Sequence, residues 1–469
     1  MREGGDRVHG PGAPGIDRRS EFMGHSLNHS PGEAVRDAGV GRDQKERILR
    51  WPAVLLYFYI FVPIFLYVGI ETFLFISFLL FVFIWWVASR EKFPDDLHRV
   101  IGPLLLILLV GLLQVSGHER YDVFKDIWYV SNAALALTAG YVLMRNLRDL
   151  GRFFSIFIIA AFFVALLHLV RFALHPELLS FDMEDIRKYA GVGFFEPGLG
   201  LTLLLVARLI GLKIFRRNIW FPFLATPVFV VSVALSFSRT QIVSLALMWL
   251  AVFGWVNFNN GRKTVLVIMA TILFLTIGFL FPQQDFISGH ASMLDKFLFS
   301  FQEIRVVDYR SMSMINEHWR GYETARALYT YSLGTPLQYL IGGGFGANVD
   351  LGLFMDLGGE RIRFAPILHN GYMYLLVKTG MIGLFLYLLL LYRMTRKGIL
   401  LSVSESREIK FCGRLIIGLS LSFVSTTFVV AGMFNKSGLL SMSILLGALL
   451  AYCSEGSPHA HNFQAEGRK

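Results

Sequence analysis

The stretch Phe153–Ala173, FFSIFIIAAFFVALLHLVRFA, is apolar on every side of a helical wheel and meets its first full charge only at Arg171. A helix packed on a soluble core shows an apolar stripe and a polar back. A helix apolar all round is either deeply buried or immersed in lipid. The length matches the roughly 20 residues that a helix needs to cross the hydrocarbon core of a bilayer. Segments of the same kind recur at 51–69, 72–89, 100–116, 127–144, 197–212 and 219–237, then at 240–257, 264–281, 367–392, 411–433 and 437–453. The spacing therefore predicts an all-α polytopic membrane protein of about twelve spans. Between 51 and 89 only Gly69, Glu71 and Thr72 interrupt the apolar run, which reads as a tight helical hairpin.

The cations test this map. Connections of one set carry Arg90, Lys92 and Arg99; Arg145, Arg148 and Arg152; Lys213, Arg216 and Arg217; Arg262 and Lys263; and Arg393, Arg396, Lys397, Arg407 and Lys410. The intervening short connections hold little more than Arg120, Lys125 and Lys436. Lys and Arg accumulate on the cytoplasmic side of membrane proteins, so both termini are expected in the cytoplasm. A single miscounted span would scramble the alternation. Two connections on the other side are long: 175–196, and 282–366 between the ninth and tenth spans. The longer one has room for several helices at the membrane surface, and unstructured loops of that size are uncommon and usually functional.

Composition agrees. Of 469 residues, 54% are hydrophobic, 17% are charged and 43 are Phe, where a soluble domain would carry nearer a quarter charged. The net charge of +10 sits in the inter-span connections and forms no phosphate-binding face, so nucleic acid is not an expected partner. Two cysteines, Cys412 and Cys453, offer neither a disulfide framework nor a CxxC metal site. Residues 1–50 are rich in Gly, Arg, His and Asp and lack an apolar signal core; they read as a disordered cytoplasmic tail, with Met23 a candidate start. Residues 454–469 read as a second cytoplasmic tail.

Chemistry-bearing residues concentrate on the outer side. Ser236-Phe237-Ser238-Arg239-Thr240 is wedged between two spans, and an arginine at a membrane boundary is costly unless it is paired, hydrated or snorkelling. His369-Asn370-Gly371-Tyr372 opens the tenth span. A histidine there suits proton transfer near neutral pH, or equally bonds a neighbouring helix. Lys378, Gly380 and Gly383 follow, so that helix is expected to break or tilt mid-membrane, with Lys378 able to pair with an acid. The large loop contains His318-Trp319-Arg320-Gly321-Tyr322-Glu323, in which Arg320 and Glu323 are spaced to pair with each other. It then contains Gly342-Gly343-Gly344-Phe345-Gly346, whose N–H groups can approach a phosphate or simply form a turn. Arg187-Lys188 precedes Gly191-Val192-Gly193-Phe194-Phe195-Glu196-Pro197. Asp182 and Glu184 either ligate a divalent metal or form a solvated acidic loop. Guanidinium groups match phosphate oxygens and remain charged, so arginines converging near one histidine suit a lipid-linked pyrophosphate.

In that order, Ser-Phe-Ser-Arg-Thr, the late Gly-Phe-Gly turn, and His-Asn-Gly-Tyr with Gly380 and Gly383 resemble the O-antigen ligase and O-antigen polymerase superfamily of bacterial membrane glycosyltransferases. The Trp319-Arg320 segment is similar to one in exopolysaccharide polymerases. The resemblance covers roughly 180–395 and implies a GT-C-like helical fold with its site at the periplasmic surface of the inner membrane, where 282–366 forms a large periplasmic loop. It implies inverting transfer of a glycan from undecaprenyl pyrophosphate to an acceptor hydroxyl, without cofactor, nucleotide sugar or metal. On this likeness Arg239 and Arg187 hold the pyrophosphate, Arg320 helps to bind donor or acceptor, and His369 is the base or orients the acceptor. Glu323, Gly344, Gly346 and Asn370 join the substrate-binding set. Glu196-Pro197-Gly198 departs from the family's pattern near Arg187.

A polymerase of repeat units is the leading expectation. A ligase that passes glycan to a lipid A-core acceptor shares its mechanism, and a lipid-linked oligosaccharide flippase is the alternative from another class. The expected partners are the lipid-linked donor, the glycan acceptor, the bilayer, and a chain-length regulator or flippase.

Overall fold

The computed structural model describes residues 95–175, 195–215, 220–256, 309–357, 360–434 and 439–454, with Met269, Glu303 and Val306. Both predicted tails, the 51–89 hairpin, almost all of the 264–281 span, Arg187 and the Asp182/Glu184 pair lie outside these residues. In chain order the helices are α1 (Asp95–Leu112), α2 (Arg120–Leu147), α3 (Leu150–Leu174), α4 (Glu196–Ile210), α5 (Phe221–Leu235) and α6 (Arg239–Val252). Among the described residues of the large loop, three helices follow: α7 (Met312–Glu317), α8 (Trp319–Ser332) and α9 (Pro336–Ile341). After two strands come α10 (Gly371–Ser402), α11 (Arg407–Val430) and α12 (Leu440–Ser454). The segments predicted from apolar runs thus coincide with helices wherever the chain is described. Their boundaries agree to within a few residues, except that α2 begins seven residues early and α10 runs ten past its expected end. Among the described residues, four helices are long and apolar enough to cross a membrane: Arg120–Arg145 within α2, then α3, α10 and α11.

The fold is not purely helical. Strands β1 (Val349–Leu357) and β2 (Glu360–Ala365) form an antiparallel hairpin inside the large loop, with Leu357 opposite Glu360. Gly358-Gly359 between them is a two-residue turn signal that an all-α reading passes over. The hairpin sits on α8. Tyr322 donates its hydroxyl to the carbonyl of Leu351, and Arg326 Nε donates to that of Asp350 at 2.8 Å.

The long helices approach closely through small residues. A Cβ added at Gly140 of α2 would collide with the carbonyl of Ile444 on α12, and one at Gly447 with that of Leu137. Apolar side chains gain little from burial against each other when the alternative is lipid, so backbone proximity and van der Waals contact drive such pairing. Gly398 and Gly413 do the same for α10 and α11.

The expected break in α10 is present at Gly380, whose φ of 62° and ψ of −163° are outside helical space and open in practice only to glycine. A break inside apolar surroundings exposes carbonyls that water cannot reach, and these must find protein donors. The glycine-rich turn supplies them: Gly343 N–H donates to Val377 O at 2.8 Å and Gly344 N–H to Lys378 O at 3.0 Å. A side chain at Gly380 would strike the Leu340 carbonyl, so turn and break are packed backbone to backbone.

Beside the break, Lys378 finds its acid. Its Nζ lies 2.6 Å from Asp126 Oδ2 on α2. The same carboxylate accepts from Tyr374 Oη at 2.7 Å and from the N–H of Gly346 at 2.7 Å. Both charged side chains are almost wholly buried, at 3% and 1% exposure. Removing one partner of such a pair typically costs about 3–5 kcal/mol, because the other charge is left buried alone. Lys378→Met is therefore expected to lower the thermal unfolding midpoint of the detergent-solubilised protein sharply. Lys378→Met with Asp126→Asn, which keeps one oxygen to accept from the Gly346 N–H and an amide N–H that can donate to Tyr374 Oη, is expected to recover much of the loss. A single variant that melts with the wild type would remove the pair from its structural role.

Candidate functional site

Ser236-Phe237-Ser238-Arg239-Thr240 is a helix–break–helix corner. Helix α5 ends at Leu235 and α6 begins at Arg239, with Ser238 as N-cap accepting from the Gln241 N–H at 3.4 Å. Phe237 takes a positive φ of 45° to turn the chain. The corner is fastened beneath by the Ser236 hydroxyl, which donates to Gln241 Oε1 at 2.7 Å. Arg239 is thus presented at the first turn of α6, on a short and constrained connection.

One partner is Glu303, a residue of the 282–366 connection that no motif singles out. Glu303 Oε2 lies 3.0 Å from Arg239 Nη2, and Glu303 Oε1 lies 3.2 Å from Arg320 Nε. One carboxylate therefore draws together two arginines that are distant in sequence. The two arginines are 24% and 21% exposed, so the cluster is partly screened yet still reachable from solvent.

Arg320 and Glu323 share the first turn of α8, and each has a partner on another segment. Arg320 reaches Glu303, while Glu323, at 2% exposure, turns to His369. Glu323 Oε1 is 3.3 Å from His369 Nδ1, and Oε2 accepts the backbone N–H of His369 at 2.9 Å. The carbonyl of His369 accepts from the Ala431 N–H at 2.6 Å. The histidine backbone is therefore held from both sides while its ring stays 52% exposed. With Nδ1 bonded to a carboxylate, Nε2 is the nitrogen left to meet a substrate.

The other predicted binding residues have structural roles. Asn370 is the N-cap of α10; its Oδ1 accepts from Tyr372 N at 3.1 Å and Met373 N at 3.3 Å, and it is buried. Gly344 and Gly346 do not offer a phosphate cradle. The N–H groups from Gly342 to Gly346 are all spent inside the protein, on Gln338 O, Val377 O, Lys378 O, Gly111 O and Asp126 Oδ2. The run is glycine because backbones meet there: a Cβ at Gly344 would strike the Gln114 carbonyl.

Along α8 from the dyad lies a cavity of about 510 Å³ whose wall includes Gln114, Ser116, His118, Thr330, Tyr331 and Asn348. Thr330 stands two turns beyond Glu323, roughly 10 Å along the helix axis. The lining mixes these polar side chains with apolar ones from Leu113, Ala347 and Val377 and includes no carboxylate, Lys or Arg among the described residues. Thr330 Oγ1 and Asn348 Oδ1 are buried without a hydrogen-bond partner. No family model matches the chain, and no curated protein matches it.

The platform under this site has a pH-sensitive tie. Asp350 in β1 bonds Arg363 Nε at 2.8 Å and accepts the Gly352 N–H at 2.8 Å. The Arg363 hydrogen bond, then the Gly352 N–H, hold its carboxyl at about 2, below the ordinary 3.8. A carboxylate with a depressed pKa stabilises the fold above its unfolded value and loses that contribution as pH falls through the folded value. Because Asp350 is 35% exposed, solvent screens much of the effect. Hydrogen exchange of residues 349–365 is accordingly expected to quicken locally between pH 4 and about 2, with Asp350→Asn already fast at pH 5. Equal protection in the variant and the wild type at pH 5 would contradict this.

Proposed function

We propose that this membrane protein is a glycosyltransferase that joins undecaprenyl-pyrophosphate-linked repeat units into O-antigen or exopolysaccharide at the periplasmic face of a bacterial inner membrane. In this reading the chain crosses about twelve times with both ends in the cytoplasm, and 282–366 faces the periplasm. The observation that carries the proposal is the linkage of two arginines to a Glu–His dyad through one turn of α8: Arg239–Glu303–Arg320, then Glu323–His369.

The chemistry follows from these groups. The donor diphosphate replaces the Glu303 carboxylate between Arg239 and Arg320, exchanging one oxyanion for another that is better matched to two guanidinium forks. Glu323 holds His369 in the tautomer that leaves Nε2 as proton acceptor and steadies the imidazolium formed when it takes the proton. Nε2 removes the proton from an acceptor sugar hydroxyl as that oxygen bonds the anomeric carbon. The bond from that carbon to the diphosphate breaks on the opposite side, inverting configuration, and the arginines receive the negative charge. The cavity beside α8 presents Gln114, Ser116, His118 and Gln338 among apolar side chains, a mixture that suits the hydroxyls and ring faces of an acceptor glycan. No step calls for a metal or a nucleotide.

A ligase would use the same groups with a lipid A-core acceptor. A flippase would need its ionisable groups free to change partner along the bilayer; Lys378 and Asp126 are instead fixed by Tyr374 and Gly346.

The test is complementation of a deletion strain, read as surface glycan on gels. General-base assistance is usually about 10²–10⁴-fold, and loss of one charge-stabilising donor about 10²–10³-fold. His369→Ala and Arg239→Ala are expected to abolish long chains, and Glu323→Gln to reduce them. Single-repeat products from the inactive variants mark a polymerase, and long chains left on the carrier mark a ligase. Normal ladders from both alanine variants would overturn the assignment.

A further inference from the structure

At the end of the helices opposite His369, Arg99 of α1, Arg393, Arg396 and Lys397 of α10, together with Val100, Leu400 and Leu450, line a cavity of about 360 Å³. Three arginines share that space beside Lys397, which has a partner of its own, and no acid is among the described residues that line it. Positive residues at helix ends ordinarily orient a membrane protein as separate, snorkelling side chains. These converge. Arg393, Arg396 and Lys397 fall at i, i+3 and i+4 on one face of α10, a spacing at which like charges repel. Arg393 Nη1 donates to the Arg99 carbonyl at 2.9 Å, which fixes that guanidinium at the cavity edge against the first turns of α1.

The apolar surroundings narrow the ligand further. Phe385, Leu388, Tyr392 and Leu400 of α10 are 63%, 48%, 60% and 60% exposed. They recur at steps of three, four and eight, and Arg396 occupies the same stripe between Tyr392 and Leu400. An apolar stripe on a membrane helix that runs into clustered arginines matches an amphiphile: acyl chains along Phe385, Leu388 and Tyr392, and an anionic group at Arg396, Arg393 and Arg99. We infer that this cavity binds the phosphodiester head group of an anionic phospholipid. Guanidinium groups bind phosphate oxygens in a bidentate manner, and basic pockets between transmembrane helices are suited to such head groups. The inference does not depend on the glycosyl-transfer reading.

Native mass spectrometry of the full-length protein tests it, with phosphatidylglycerol and phosphatidylcholine added in turn. Phosphatidylglycerol is expected to stay bound under activation that strips phosphatidylcholine. R393Q/R396Q is expected to weaken that retention roughly fivefold per charge removed. R148Q/R152Q, which removes the same charge from the end of α2 and the first turn of α3, is expected to retain the lipid as the wild type does. Inorganic phosphate at millimolar concentration is expected not to displace it. Equal retention of the two lipids would overturn the inference, as would an equal loss in R148Q/R152Q, an unaffected R393Q/R396Q, or displacement by phosphate alone. The last result would mark a site for a soluble anion.

Discussion

The buried contact between Lys378 and Asp126 holds three otherwise independent pieces of this protein in register. One charge belongs to α10 and the other to α2, and the carboxylate also anchors the glycine-rich turn through Gly346. An ion pair so dry repays its desolvation only when the remaining lone pairs are satisfied. Here Tyr374 and Gly346 satisfy them. The same turn closes the carbonyls exposed by the break at Gly380, so ion pair, turn and break make one connected device. Because the turn ends the helical part of the large loop, the device also sets where α8 and the hairpin meet the membrane helices.

Everything proposed for the chemistry is suspended from that frame. His369 precedes α10 and is fixed to α8 by Glu323 and to the end of α11 by the Ala431 N–H. Arg239 enters from the α5–α6 corner and Arg320 from α8, and Glu303 draws them together. Charges of one sign do not gather unless something of the opposite sign stands between them. Glu303 serves that purpose in this structure, and a diphosphate is the natural competitor for the position. The opposite end of the helices presents the reverse case, in which cations gather around a cavity and a lipid phosphate is the counter-charge of the right shape.

Much of this was legible in the sequence. The apolar helices of the described residues, the break near Gly380 and an acidic partner for Lys378 all follow from local composition and position. Other features were misread because one local pattern fits two structures. Gly342–Gly346 has the composition of an anion cradle and of a turn that lets backbones touch, and the direction of its N–H groups decides between them. Arg320 and Glu323 have the spacing of a pair, a spacing that does not reveal the partners each has on other segments. Asn370 looks like a ligand-binding amide and caps a helix.

By itself, then, the sequence determined the solvent of this protein and the helices that solvent demands, because hydrophobic length and cation bias act residue by residue along the chain. It could not select Glu303 or Asp126 from among its acids, nor show that a hairpin would dock on α8. Those choices depend on which segments meet, and the cost of leaving a charge or a carbonyl unpartnered away from water is felt only once they do. Tertiary structure alone decided that two arginines, two glutamates and a histidine form one neighbourhood.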